Sequence, residues 1–261
     1  MPSGKRSKQQ RRAASGGRTP PPVRSKGGSR QSFSISRRTW LIVAVVVLIA
    51  IGLGIGLDAA LSSSGSKRSG FAALSTLGPL RSPGALGPAG PEGPPIESGP
   101  NLAPAGSPSP GQSVDGIQCQ AGEQLAEHTH ARLTIFVNGH QERVPYGVGI
   151  ADPQIAPGIG VPFVVTGTCF SWLHTHTADG IIHTEAPVHR VFTLGNFFDV
   201  WDQPLSPTQV GPAKGQVTAL VNHRVWLGNP RDIPLRSHAQ IQLEVGRPLV
   251  APVHITSWAD L

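Results

Sequence analysis

The chain of 261 residues contains one methionine, one tyrosine and two cysteines, and aromatic residues make up 5% of it. The methionine is Met1, so a thioether site for Cu⁺ is disfavoured. No acidic residue precedes Asp58 and no histidine precedes His128. Neither a GxSxG nucleophile elbow nor a phosphate-cradling glycine loop occurs, which leaves the α/β-hydrolase and P-loop nucleotide classes without their signatures. What the chain has in excess is glycine (32), proline (26) and, after residue 127, histidine (10).

Residues 40–57, WLIVAVVVLIAIGLGIGL, carry no charge. As a helix they would reach roughly 27 Å, close to the thickness of a bilayer core. Residues 1–39 hold eleven Lys/Arg and no acid. The positive-inside bias therefore predicts a basic, disordered cytoplasmic tail over 1–39, a single-pass transmembrane signal anchor over 40–61, and an extracytoplasmic remainder. The tail's charge suits anionic lipid; with no accompanying fold, no nucleic-acid partner is expected, and protein partners stay open. A cleavable signal peptide is the alternative, and SRRTWL (36–41) resembles the twin-arginine export motif with Trp40 in the usual phenylalanine position. Residues 62–115 are expected to be a Pro/Gly spacer, since the four glycine triplets of GALGPAGPEGPP (84–95) are too few for a triple helix.

The sequence pI of about 10.2 belongs to the tail. Residues 116–261 have eight Lys/Arg against eleven Asp/Glu, a net charge of −3. This domain is long enough for one core. Alternating β-branched stretches at 131–137, 162–167, 217–221 and 239–245 predict strands. Asn138-Gly139 and Asp179-Gly180 predict hairpin turns. In TLGNFFDVW, Leu194, Phe197, Phe198 and Trp201 recur at helical spacing behind Thr193 as N-cap. The expected fold is mainly β, a small hairpin-rich sandwich or barrel with one or two short helices. An α+β arrangement of two half-repeats is the alternative, because HARLTIFVNG from His130 resembles HAQIQLEVG from His238.

Cys119 and Cys169 lie in the exported part, where an even pair reads as a disulfide. Each shortly precedes an HxH, His128/His130 and His174/His176. If Asp179-Gly180 forms a two-residue turn, His176 opposes His183 and His174 opposes Glu185. A four-residue loop, 177–180, instead opposes His174 to His183. Both even loops put His174, His176, His183 and Glu185 on one sheet face; a three-residue loop would not. Three imidazoles and a carboxylate suit a divalent transition metal (Zn, Fe, Mn or Cu(II)), with His128 or His130 able to complete the shell. The plainer alternative is that these histidines are solvated or bonded to one another and to Thr175, Thr177 and Thr184. His189 is a weaker candidate, His238 is undecided, and His140, His223 and His254 read as turn or surface residues.

The HxH strands resemble cupins over residues 174–185, although eight residues separate His176 from Glu185 where that family has three or four. The phrases HTHARLTIFVNG, WLHTHTADGIIHTEAP and FTLGNFFDVW resemble those of a set of uncharacterised bacterial extracytoplasmic His-rich proteins across residues 117–261. That resemblance implies export and domain limits and no particular reaction. Three functions follow as expectations: a membrane-anchored metal-binding domain for metal handling or sensing, a metal-dependent enzyme with Glu185 as general base, or an envelope interaction module with structural histidines.

Overall fold

The computed structural model describes residues 70–259 and 261. The expected basic tail and membrane anchor lie outside them. Among the described residues no helix is long and apolar enough to cross a membrane.

The central element is an eight-stranded sheet. Its strands are β1 (Phe71–Ala72), β2 (Glu127–Val137), β3 (His140–Glu142), β4 (Leu173–His174), β5 (Ile181–Ala186), β6 (Val217–Val221), β7 (Arg224–Trp226) and β8 (Gln240–Val245). They run in the order β1-β7-β6-β8-β2-β5-β4, with β3 pairing to the far end of β2. The sheet stays open rather than closing into a barrel. Three smaller sheets surround it, one of which pairs Ile117–Gln120 with Cys169–Ser171. The two resembling stretches lie side by side: β8 pairs with β2 in parallel, Gln240 beside Arg132 through Val245 beside Val137.

Residue alternation divides the sheet into two unlike faces. Ala131, Leu133, Ile135, Ile182, Ile241 and Leu243 point into the main apolar core. There they meet the one α-helix among the described residues, α1 (Leu194–Val200), through Leu194, Phe197, Phe198 and Trp201. Thr193 caps that helix as its sequence predicts, in a capping box with Asn196. Burying each large apolar side chain contributes about 1.5–3 kcal/mol, so this face supplies the cohesion. The opposite face carries His128, His130, Arg132 and Thr134 on β2, His183 and Glu185 on β5, His174 on β4, and Gln242 and Glu244 on β8.

That polar face is covered by chain expected to lie elsewhere. From residue 70 the Pro/Gly-rich stretch is part of the fold, not a spacer. Phe71 and Ala72 pair with β7. Glu97 accepts a buried hydrogen bond from the Arg132 guanidinium at 3.2 Å. Leu102 and Ala103 join the core, and the indole N–H of Trp201 donates to the Pro104 carbonyl. Composition misleads here because proline and glycine obstruct regular ladders without preventing packing. Residues 249–255 cover the neighbouring strip. The Gln242 amide bonds the Val250 carbonyl and the Val253 N–H, and Phe136 packs on Val250 and Val253.

Candidate metal centre

The Asn138-Gly139 hairpin forms as expected, with φ of 50° and 77° and Val137 opposite His140. The Asp179-Gly180 turn does not take the tight two-residue form: only Gly180 has positive φ, 80°. The chain leaves β4 after His174 and returns at Ile181, and His174 opposes His183. This is the register of the longer even loop. Residues 175–178 are drawn off by neighbours. Thr175 donates to the Pro145 carbonyl, Thr177 donates to Pro162, and the Ala178 carbonyl accepts from the Glu97 N–H. Gly180 then turns so close to β2 that a Cβ there would collide with the Leu133 carbonyl oxygen. The Thr175 and Thr177 hydroxyls are thus committed to backbone carbonyls rather than to histidines.

The register lines up three imidazoles across three adjacent strands. His130 opposes His183 on one side and His174 opposes it on the other. Ring centroids are 4.6 Å apart for His130–His183 and 5.3 Å for His174–His183. In the next row Glu185 opposes His128. His176, two residues beyond β4, folds back to the same group, its ring 4.6 Å from that of His183. The predicted ligands therefore fall into two groups that share His183 and Glu185. The ligand atoms of His174, His176, His183 and Glu185 lie within 4.8 Å of one another, as do those of His128, His130, His183 and Glu185. All but His128 are buried.

Hydrogen bonds fix the direction of the rings. Nδ1 of His174 lies 2.8 Å from the Ser171 carbonyl and Nδ1 of His176 lies 2.6 Å from the Val164 carbonyl. A carbonyl only accepts, so each Nδ1 carries the proton and each neutral ring turns a bare Nε2 inward. Those two Nε2 atoms are 3.1 Å apart. Two lone pairs facing at that distance repel unless a proton or a metal ion stands between them. Two nitrogens on one tetrahedral ion, with bonds of about 2.0–2.1 Å, sit about 3.3 Å apart. An Nδ1–H donated to a backbone carbonyl is also the usual support for a ligating histidine.

Other polar atoms point into the cluster without a well-aligned hydrogen-bond partner. Nε2 of His130, both ring nitrogens of His183 and Oε2 of Glu185 are buried and lack hydrogen-bond partners. Each such atom costs about 1–3 kcal/mol. Carboxylates stand near: Glu185 Oε1 is 3.4 Å from His128 Nε2 and 3.5 Å from His183 Nδ1. Glu92 Oε1 is 2.9 Å from His183 Nε2, outside hydrogen-bond alignment. Glu123 Oε1 is 3.5 Å from His176 Nε2.

The electrostatics follow from burial and from these neighbours. Burial, with the like charge of His183 and His128, presses the His130 pKa down to about 3. Burial first, then His176 and His183, holds His174 well below the ordinary imidazole range, and burial lowers His176 too. His183 goes the other way. Burial opposes its charge, but Glu185 and Glu92 outweigh that and raise it to about 9. Burial, reinforced by Glu92, raises Asp179 to about 7. The carboxylates thus favour a proton on His183, which a metal ion bound there would displace, while burial keeps His130, His174 and His176 neutral.

Glu92 and Glu123 escape sequence reasoning. Glu92 lies in GPEGPP, where composition reads as spacer, and Glu123 carries no motif. The remaining histidines stay outside the cluster. His189 bonds Glu127 at 2.7 Å on the surface, His238 stacks on Trp258, and His140 is exposed. His223 occupies a turn beside His254. Cys119 and Cys169 are disulfide-bonded, with Cα atoms 5.3 Å apart. The bridge joins the strand before the first HxH to the strand before the second. No family model, no curated protein and no solved structure matches the chain.

Proposed function

We propose that this domain binds a divalent transition metal, and that the protein is a single-pass membrane protein handling or sensing that metal outside the cytoplasmic membrane. The observation that carries the metal reading is the pair of bare Nε2 atoms of His174 and His176, facing each other at 3.1 Å with their Nδ1 protons given to backbone carbonyls. A metal ion relieves that pair as a shared proton would, and unlike a proton it also draws on the unpartnered atoms of His183 and Glu185. Nitrogen and oxygen ligands without sulfur suit Zn²⁺, Fe²⁺, Mn²⁺ or Cu²⁺. The near-total burial of His174 and Glu185 favours retention of an ion over turnover of a substrate by Glu185 as general base. The membrane anchor rests on residues 40–57 and the basic tail before them.

The test is calorimetric titration of the full-length protein in detergent with each of the four metals, wild type against His176→Ala. Micromolar or tighter binding by the wild type, weakened at least tenfold in the variant, is the expected result. Equal binding by both, or none by either, would leave the histidines structural and favour the envelope-module reading.

A further inference from the structure

The cluster contains two ligand sets rather than one. His174, His176, His183 and Glu185 make the first; His128, His130, His183 and Glu185 make the second. His183 and Glu185 belong to both, and their positions explain why. His183 sits in the middle of the row, flanked by His130 on β2 and His174 on β4. Neither of its ring nitrogens has a hydrogen-bond partner. The Glu185 carboxylate is split in the same way: Oε1 is 3.4 Å from His128 Nε2, while Oε2 is 3.9 Å from His174 Nε2. Nε2 of His130 is buried without a partner, on the strand across His183 from that of His174. One ion bound by the His174–His176 pair would leave that nitrogen orphaned.

We propose that the domain holds two divalent ions in one centre: one on His174 and His176, the other on His128 and His130, with Glu185 bridging them and His183 between them. This rests on the metal-binding reading and sharpens it to a dinuclear site. Two neighbouring dications need negative charge nearby, and Glu92, Glu123 and Glu185 all face the cluster. A carboxylate bridge is the ordinary way to hold paired ions. Exposure differs between the halves. His174 is wholly buried, whereas the His128 side chain is 48% exposed, so the second ion should exchange faster than the first.

The experiment counts zinc per full-length, untagged chain by mass spectrometry after chelation, reloading and gel filtration. Wild type is compared with His128→Asn, with a His128→Asn/His130→Asn double variant, and with His254→Ala, which removes the surface pair formed with His223. We expect two zinc ions in wild type and in His254→Ala, and one in the double variant. His128→Asn, at an exposed position, should keep the fold by circular dichroism and lose its second zinc to a chelator at least tenfold faster. One zinc in wild type would overturn the dinuclear centre and leave the single-ion reading standing. No zinc in wild type would overturn both. Two zinc ions in wild type with loss of one only in His254→Ala would place the second ion on the surface pair and also overturn the proposal.

Discussion

At the scale of single residues, the polar face of the sheet holds carboxyls that burial makes reluctant to ionise. Burial pushes the Glu97 pKa up to about 7 even though Arg132 beside it pulls the other way. The carboxyl is therefore largely neutral just below neutral pH, and it still accepts from the guanidinium. Glu97→Gln should accordingly be mild at pH 6. Glu97→Ala strands a buried guanidinium that cannot lose its proton and should cost about 3–5 kcal/mol. Urea midpoints of the two variants would separate these cases, and equal midpoints would refute the assignment. Glu244 gives a pH prediction. Burial raises it from 4.5 to about 7. A carboxyl with a raised folded pKa contributes stability that is fully present below its unfolded value and lost as pH rises through the folded one. Between pH about 4.5 and 7 this loss is on the order of 3 kcal/mol. Glu244→Gln should therefore gain on wild type at pH 8 relative to pH 5 in chemical denaturation. The same stability difference at both pH values would contradict it.

At the scale of elements, α1 is a seven-residue helix that does not stand by propensity. It is held by Phe197, Phe198 and Trp201 in the core and started by Thr193, whose hydroxyl accepts from the Asn196 N–H while the Thr193 N–H donates to the Asn196 side chain. Thr193→Ala should cost about 1 kcal/mol, which in a domain of this size is about 2–4 °C in Tm; Thr193→Ser should restore it. A melting curve for Thr193→Ala that overlays wild type would show that packing alone sets the helix start. The same element was legible beforehand because cap, spacing and apolar face agreed within nine residues. The two glycine turns differ for a physical reason. Asn138-Gly139 has only its own strands to satisfy, so local preference decides. At Asp179-Gly180 the Ala178 carbonyl bonds the Glu97 N–H and the Thr175 hydroxyl bonds the Pro145 carbonyl, and those distant partners open the turn.

At the scale of the whole molecule, the Pro/Gly-rich stretch from residue 70 is a working part of the domain. Removing everything before residue 116 would take away Leu102 and Ala103 from the core, Glu97 from Arg132 and Glu92 from His183. Such a truncation should be insoluble or lack cooperative unfolding, and a soluble, cooperatively melting fragment would show that this stretch is dispensable. The disulfide acts over the same range. Closing 50 residues between Cys119 and Cys169 contributes on the order of 4 kcal/mol in the chain-entropy account. Reduction should lower the denaturant midpoint accordingly, and thiol labelling of the oxidised protein should give no signal.

The sequence by itself determined what is set by short-range chemistry. This covers the strand alternation of β2 and β8, the capped helix, the Asn-Gly hairpin and the one-faced grouping of His174, His183 and Glu185, which follows from parity wherever the loop is even, whereas His176 beyond β4 joins them through its bonds to Val164. The cysteine pair was legible from its even number together with the expectation of export. Tertiary structure decided what depends on distant partners. It chose between the two even registers, because Glu97, Pro145 and Pro162 claim the loop's hydrogen bonds. It brought His128 and His130 against His183, because β2 pairs with β5 across an intervening stretch of some forty residues. It also recruited Glu92 from a stretch whose composition reads as spacer. Parity is local and survives in one dimension; register against a distant strand is a property of the packed chain, where side chains far apart in sequence compete for the same bonds.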